Sequence, residues 1–144
     1  MSRPTHARLT ASGAVLHVRQ AGNGPVVLLL HGFPDSSELW HDVTPPLVAA
    51  GFRVVAPDLR GFGQSDAPAA VGDYALGHIV ADLRTLIGRL AGDEPVRVIG
   101  HDWGAVAGWC LALEHPQLVR SQVALSVGHP RQYAVAGLEQ KLKG

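Results

Sequence analysis

The chain has 144 residues, 47% hydrophobic and 17% charged, with 12 Lys and Arg balancing 12 Asp and Glu. That composition describes one ordinary globular domain and excludes a disordered chain. Basic residues are scattered at zero net charge (His neutral), which argues against a nucleic-acid surface and against an anionic-membrane surface.

In chain order, Ala14 to Ala21 is rich in β-branched and apolar residues and predicts a strand. Ala7 to Thr10 predicts a shorter strand paired with it through Ser12 and Gly13. After the turn Gly22-Asn-Gly-Pro25, the run Val26-Val-Leu-Leu-Leu30 is continuously apolar, as a strand covered on both faces should be. It ends in His31-Gly-Phe-Pro34. Asp35-Ser-Ser-Glu38 then has the form of a capping box, with Asp35 accepting from the first turn and Glu38 reaching back. A short helix from Glu38 to Asp42 should follow, and then a second helix with Thr44 as cap and Pro45 at its first position, stopping at Gly51.

Arg53 to Ala56 is the next strand, running into the glycine-rich loop Pro57 to Asp66, and Ala67 to Gly72 reads as mobile surface. Ile79, Val80, Leu83, Leu86, Ile87 and Leu90 recur at helical spacing; Asp82, Arg84, Thr85 and Arg89 occupy the other side, which should be wet. Gly92 ends this helix. Val96 to Ile99 is a buried strand, Ala105 to Glu114 an apolar helix stopping at His115-Pro116, and Leu118 to Val127 a last strand centred on Val123-Ala-Leu125. Strands alternating with helices predict parallel βαβ units in a three-layer α/β/α sandwich, a mostly parallel sheet with an antiparallel N-terminal edge.

Gly100-His-Asp-Trp-Gly104, between the buried strand and the apolar helix, has the G-x-nucleophile-x-G frame of a nucleophile elbow, with Asp102 at the apex. Glycines suit the flanks because a sharp strand-to-helix turn crowds them, and Asp tolerates the positive φ expected at the apex. The plainer alternative is a βα turn in which Asp102 caps the helix. A carboxylate with an ordinary pKa is already ionised at neutral pH, and the N-terminus of the following helix favours the anion further. Asp102 could therefore attack a strained, electrophilic carbon without an activating base.

His31-Gly-Phe-Pro34, Asp58-Leu-Arg-Gly-Phe-Gly-Gln-Ser-Asp66 and Gly100-His-Asp-Trp-Gly104 are similar, in that order and with fitting intervals, to the motifs of α/β-hydrolase-fold epoxide hydrolases. The resemblance runs from about Thr10 to His129 and implies the N-terminal part of an α/β-hydrolase fold. Residues 1–130 would be core and 131–144 the start of the connection to a lid. It implies hydrolysis of an epoxide to a vicinal diol through an ester on Asp102, with the backbone N–H groups of Phe33 and Trp103 as oxyanion hole. Phe33 and Trp103 are also the expected substrate contacts, although the Trp103 ring could equally pack against the sheet edge. Haloalkane dehalogenases share the covalent design but typically carry Asn or Glu where this chain has Phe33.

No cofactor is expected. Gly61-Phe-Gly63 lacks the third glycine of a dinucleotide loop, and the eight histidines show no metal-ligand spacing, so no metal is expected either. His31 and His101 are assigned structural roles, with the His101 ring turned away from the cleft. Asp58 should tie its loop through backbone donors. Cys110, the one cysteine, is read as packing in the apolar helix. Met1 to His6 carries no apolar signal region, and Val26 to Leu30 is too short to cross a bilayer, which makes a cytoplasmic protein the default.

The family's triad acid, triad histidine, lid and lid tyrosines have no counterpart after Asp102, where only His115 and His129 follow. Three readings of this departure stand: the N-terminal piece of a larger enzyme, which is favoured; half of an enzyme completed by a second polypeptide beside the last strand; or a non-catalytic module that binds a ligand or partner. The expected small-molecule partner is an epoxide or related electrophile. The last strand should leave an apolar edge prone to pairing or aggregation.

Overall fold

The computed structural model describes residues 3–135. Six strands, β1 (Thr5–Thr10), β2 (Val15–Ala21), β3 (Val26–Leu30), β4 (Arg53–Pro57), β5 (Val96–His101) and β6 (Val119–Leu125), form one sheet in the order β1-β2-β4-β3-β5-β6. β1 pairs antiparallel with β2, and β2 antiparallel with β4; the other pairings are parallel. The helices are α1 (Thr44–Ala49), α2 (Leu76–Leu90), α3 (Trp103–Glu114) and α4 (Pro130–Val135). This is the expected sandwich. Residues 136–144, the rest of the predicted lid connection, lie outside the described residues.

β3 shows why its sequence is continuously apolar. Val26, Leu28 and Leu30 join one core with Leu83, Leu86 and Leu111 of α2 and α3. Val27 and Leu29 face the other way, into a smaller core with Trp40, Val54 and Ala56, against which Leu47 and Val48 of α1 pack. Alternate side chains of one strand point to opposite faces, so a strand between two helical layers must be apolar at every position. Among the described residues β6 pairs with β5 at the end of the sheet, and Val123 and Leu125 on it are exposed.

Three local expectations fail. Asp35 and Glu38 do not form a capping box: Ser36 Oγ accepts from the Glu38 N–H at the start of a 3-10 turn, Ser37–Trp40, and the Glu38 carboxylate pairs with Arg19. Thr44 does not cap α1; its hydroxyl donates to the Trp40 carbonyl at 2.8 Å, and Val43 precedes the helix. Asp82 is not on a wet face. It is 1% exposed, because Arg60 reaches it from the loop after β4 with two hydrogen bonds of 2.7 Å. For Glu38 and Asp82 a distant arginine overrides the local pattern, and for Thr44 a carbonyl four residues back does. Ala67 to Gly72 is surface as expected, and a 3-10 turn, Val71–Tyr74, begins inside it. Among the described residues no helix is long and apolar enough to cross a membrane.

Candidate active site

β3 and β5 run side by side with Leu30 opposite Gly100, so the turns leaving their C-terminal ends are neighbours. The first turn carries Phe33 and the second carries Asp102. Asp102 sits at φ 54°, ψ −124°, outside the ordinary regions, and its side chain makes no capping bond to α3, so the plain helix-cap reading fails. The backbone permits this geometry because side chains are missing around it. A Cβ on Gly104 would lie 2.1 Å from the Leu30 carbonyl oxygen. Gly32, not singled out from sequence, is as tightly constrained: a Cβ there would lie 2.4 Å from Asp102 Cβ.

The Phe33 N–H donates to Asp102 Oδ2 at 2.9 Å. The backbone N–H groups of Phe33 and then Trp103 hold the Asp102 carboxyl below its ordinary range, against a smaller opposing effect of burial. The residue is thus a carboxylate with one oxygen held by the protein. Phe33 and Trp103 are 67% and 58% exposed, so the indole does not bury itself against the sheet. Phe33 precedes a cis peptide bond to Pro34, and its ring meets that of Phe62 edge-on.

The loops behind the site are pinned by buried polar side chains. Leu59 N–H donates to His31 Nε2 at 2.9 Å, which leaves Nδ1 as the protonated nitrogen; it donates to the Gly32 carbonyl at 2.9 Å. His31 is fully buried, and burial pushes its pKa down. It therefore ties the turn before Phe33 to the loop after β4. Asp58 ties the same loop further. Burial alone would raise its pKa, but the N–H groups of Gln64 and Ser37 and the ring of His17 prevail and hold it low. Those bonds measure 2.9, 2.7 and 2.8 Å. His6 Nδ1 lies 2.8 Å from His17 Nε2 on the outer side of that contact, an arrangement between β1 and β2 that sequence spacing did not suggest. His101 Nδ1 is buried without a hydrogen-bond partner. His129 stacks edge-on against Trp109, with centroids 4.7 Å apart. Cys110 packs, half-buried, against the larger core, and its thiol pKa is raised by burial. No group of three His, Cys, Asp or Glu among the described residues could hold a metal ion.

A mostly parallel sheet with a strained acidic residue at a strand-to-helix turn defines a hydrolase-type architecture. The family profile described as alpha/beta hydrolase fold matches residues 25–140, and the chain belongs to that family. It is 41% identical over 140 residues to epoxide hydrolase 3 of Siraitia grosvenorii, covering 96% of this chain and 44% of that protein. Among solved structures, a variant of the Vigna radiata epoxide hydrolase superposes with a TM-score of 0.87 at 43% identity, over 90% of this chain and 41% of that one. Epoxide hydrolase A of Mycobacterium thermoresistibile gives 0.83 at 38% identity, over 87% and 40%. The chain thus spans less than half the length of these relatives.

Proposed function

We propose that this chain carries the nucleophile of an epoxide hydrolase. The observation that carries the reading is the 2.9 Å hydrogen bond from the Phe33 N–H to Asp102 Oδ2. With Oδ2 held, Oδ1 is the attacking oxygen. It forms a bond to an epoxide carbon, the ring C–O bond breaks, and the electron pair goes to the epoxide oxygen. That oxygen takes a proton from donors outside these 144 residues, as the lid does in the resembled family. The product is an ester between Asp102 and the opened substrate.

Hydrolysis then requires water to attack the Asp102 carbonyl carbon. Its proton passes to a histidine, also supplied from outside this chain. Oδ2 becomes the oxyanion, with the Phe33 N–H, which already donates to it, as one donor and the Trp103 N–H as the second; a preorganised donor of this kind contributes roughly 10²- to 10³-fold in rate. Collapse breaks the bond between the Asp102 carbonyl carbon and Oδ1. Oδ1 leaves with the vicinal diol, taking the second proton of the attacking water. The water's oxygen completes the restored carboxylate, and the histidine's proton resets the donor that protonated the epoxide oxygen. Residues 1–130 serve as the N-terminal part of the core in this scheme, and 131–144 open the lid connection. The epoxide hydrolases among the relatives favour this reading over dehalogenation.

Intact mass spectrometry after incubation with styrene oxide tests the first step. The expected result is a mass gain of one epoxide, mapped to Asp102 and absent in Asp102→Asn. A folded sample that gains no mass at Asp102 overturns the proposal.

A further inference from the structure

A cavity of about 320 Å³ lies between the sheet and α1, on the face away from α2 and α3. Its volume is within the range of small-molecule sites, roughly 300–1,000 Å³. It is walled by Pro45 and Val48 of α1 and by Val54 and Ala56 of β4, with Arg19 and Trp40 among its polar contributors. Asp102, Phe33 and Trp103 do not line it. One buried donor of a lining residue, Trp40 Nε1, makes no hydrogen bond. Trp40 is 4% exposed, so its indole N–H has lost water without gaining an acceptor, and such a group costs stability until one arrives.

The Arg19 guanidinium rests against the Glu38 carboxylate, whose side chain is 69% exposed while that of Arg19 is 14% exposed. An ion pair with one partner in water is weak and readily exchanged. Arg3 adds a second positive charge to the lining. Apolar walls, one unsatisfied indole N–H and a guanidinium held only by an exposed carboxylate fit one ligand chemistry, an alkyl chain ending in a carboxylate.

We propose that this cavity binds a medium-chain aliphatic carboxylate. The chain lies along Val48, Val54 and Ala56, and the carboxylate displaces Glu38 from Arg19 and accepts from the Trp40 indole. The site is independent of the chemistry at Asp102.

The test follows the indole N–H resonances of the ¹⁵N-labelled protein during titration with octanoate and, separately, with 1-octanol. The Trp40 signal, assigned with Trp40→Phe, is expected to shift saturably with octanoate. Octanol should bind at least about tenfold more weakly, the loss that goes with one charge-assisted hydrogen bond. Arg19→Gln should weaken octanoate by a similar factor. Glu38→Gln, at an exposed position, should tighten it by removing the competing carboxylate. No saturable shift at Trp40 overturns the proposal, as does equal binding of octanol and octanoate. Should Arg19→Gln fail to fold, Glu38→Gln decides alone: unchanged or weaker octanoate binding there overturns it.

Discussion

Arg60 grips both oxygens of Asp82, Nε to Oδ2 and Nη2 to Oδ1, each at 2.7 Å, with 3% and 1% of the two residues exposed. The fork closes a network: Arg60 also donates to the carbonyls of Ser12 and Asp73, and the Ser12 N–H donates to Asp82 Oδ1. The β1–β2 turn, the loop after β4 and helix α2 are thereby joined at one point.

Asp82→Ala leaves a buried guanidinium without its counter-charge and should cost about 3–5 kcal/mol. The exposed pair between Arg8 and Asp66 offers the contrast, with side chains 54% and 46% exposed; Arg8→Ala should cost no more than about 1 kcal/mol. Denaturation midpoints of the two variants, measured side by side, check the ordering. Equal losses would contradict it.

Gly32→Ala places a methyl group where Asp102 Cβ already lies 2.4 Å away. The two turns must separate, and the Phe33 N–H moves off Oδ2. Ester formation with an epoxide should slow by on the order of 10²-fold, the usual effect of displacing a reacting group by about an ångström. Rapid-quench mass spectrometry measures the rate, and circular dichroism establishes that the variant is folded.

The pH dependence of ester formation follows from the depressed pKa of Asp102. Only the carboxylate attacks, so the rate should stay level as pH falls through the ordinary carboxylate range near 4 and decline below it. A decline centred above pH about 5 would show that the carboxyl is not held by its two N–H donors.

Asp58 adds a separate effect on stability. Its pKa is lowered in the folded chain, so below the unfolded value, about 4, the unfolded state binds more protons. Its contribution is full above that value and is lost as pH falls through the folded pKa. Urea unfolding between about pH 6 and pH 3 should show this acid-side loss, and Asp58→Asn should reduce its slope.

On β6, the end strand of the sheet among the described residues, Val123 is 51% exposed. Val123→Lys should reduce self-association without lowering the thermal midpoint, because a charge on an open edge disfavours strand pairing. Sedimentation velocity at several concentrations provides the comparison.

The parts of the chain that could be understood from sequence are those governed by local pattern. Val26 to Leu30 announces a strand between two helical layers, and Gly100 and Gly104 announce a turn with no room for side chains. The candidate elbow lies in five consecutive residues, which brings Asp102 and Trp103 into view together, and Phe33 stands in a second short motif, His31 to Pro34. The misses arise where distant segments meet. A helical wheel places Asp82 opposite the apolar stripe, and only the fold brings Arg60 to it. Glu38 has the spacing of a cap, but Arg19 on β2 is the stronger partner. Gly32 looks like an ordinary turn glycine until Asp102, 70 positions later, occupies the space its side chain would need. The stacking of His6 on His17 depends on the register of β1 against β2, which pairs Arg8 with His17 and His6 with Arg19.

That ladder logic bears most on the pairing of Leu30 with Gly100. The two bends that follow are mounted on adjoining rails, level with each other, so the gap between the acidic tip and the amide opposite is gauged by the rungs of the sheet. A slip of one rung would carry them apart by about 3.3 Å, more than a hydrogen bond's length. The alignment is therefore built in when the two strands zip, before any substrate is present.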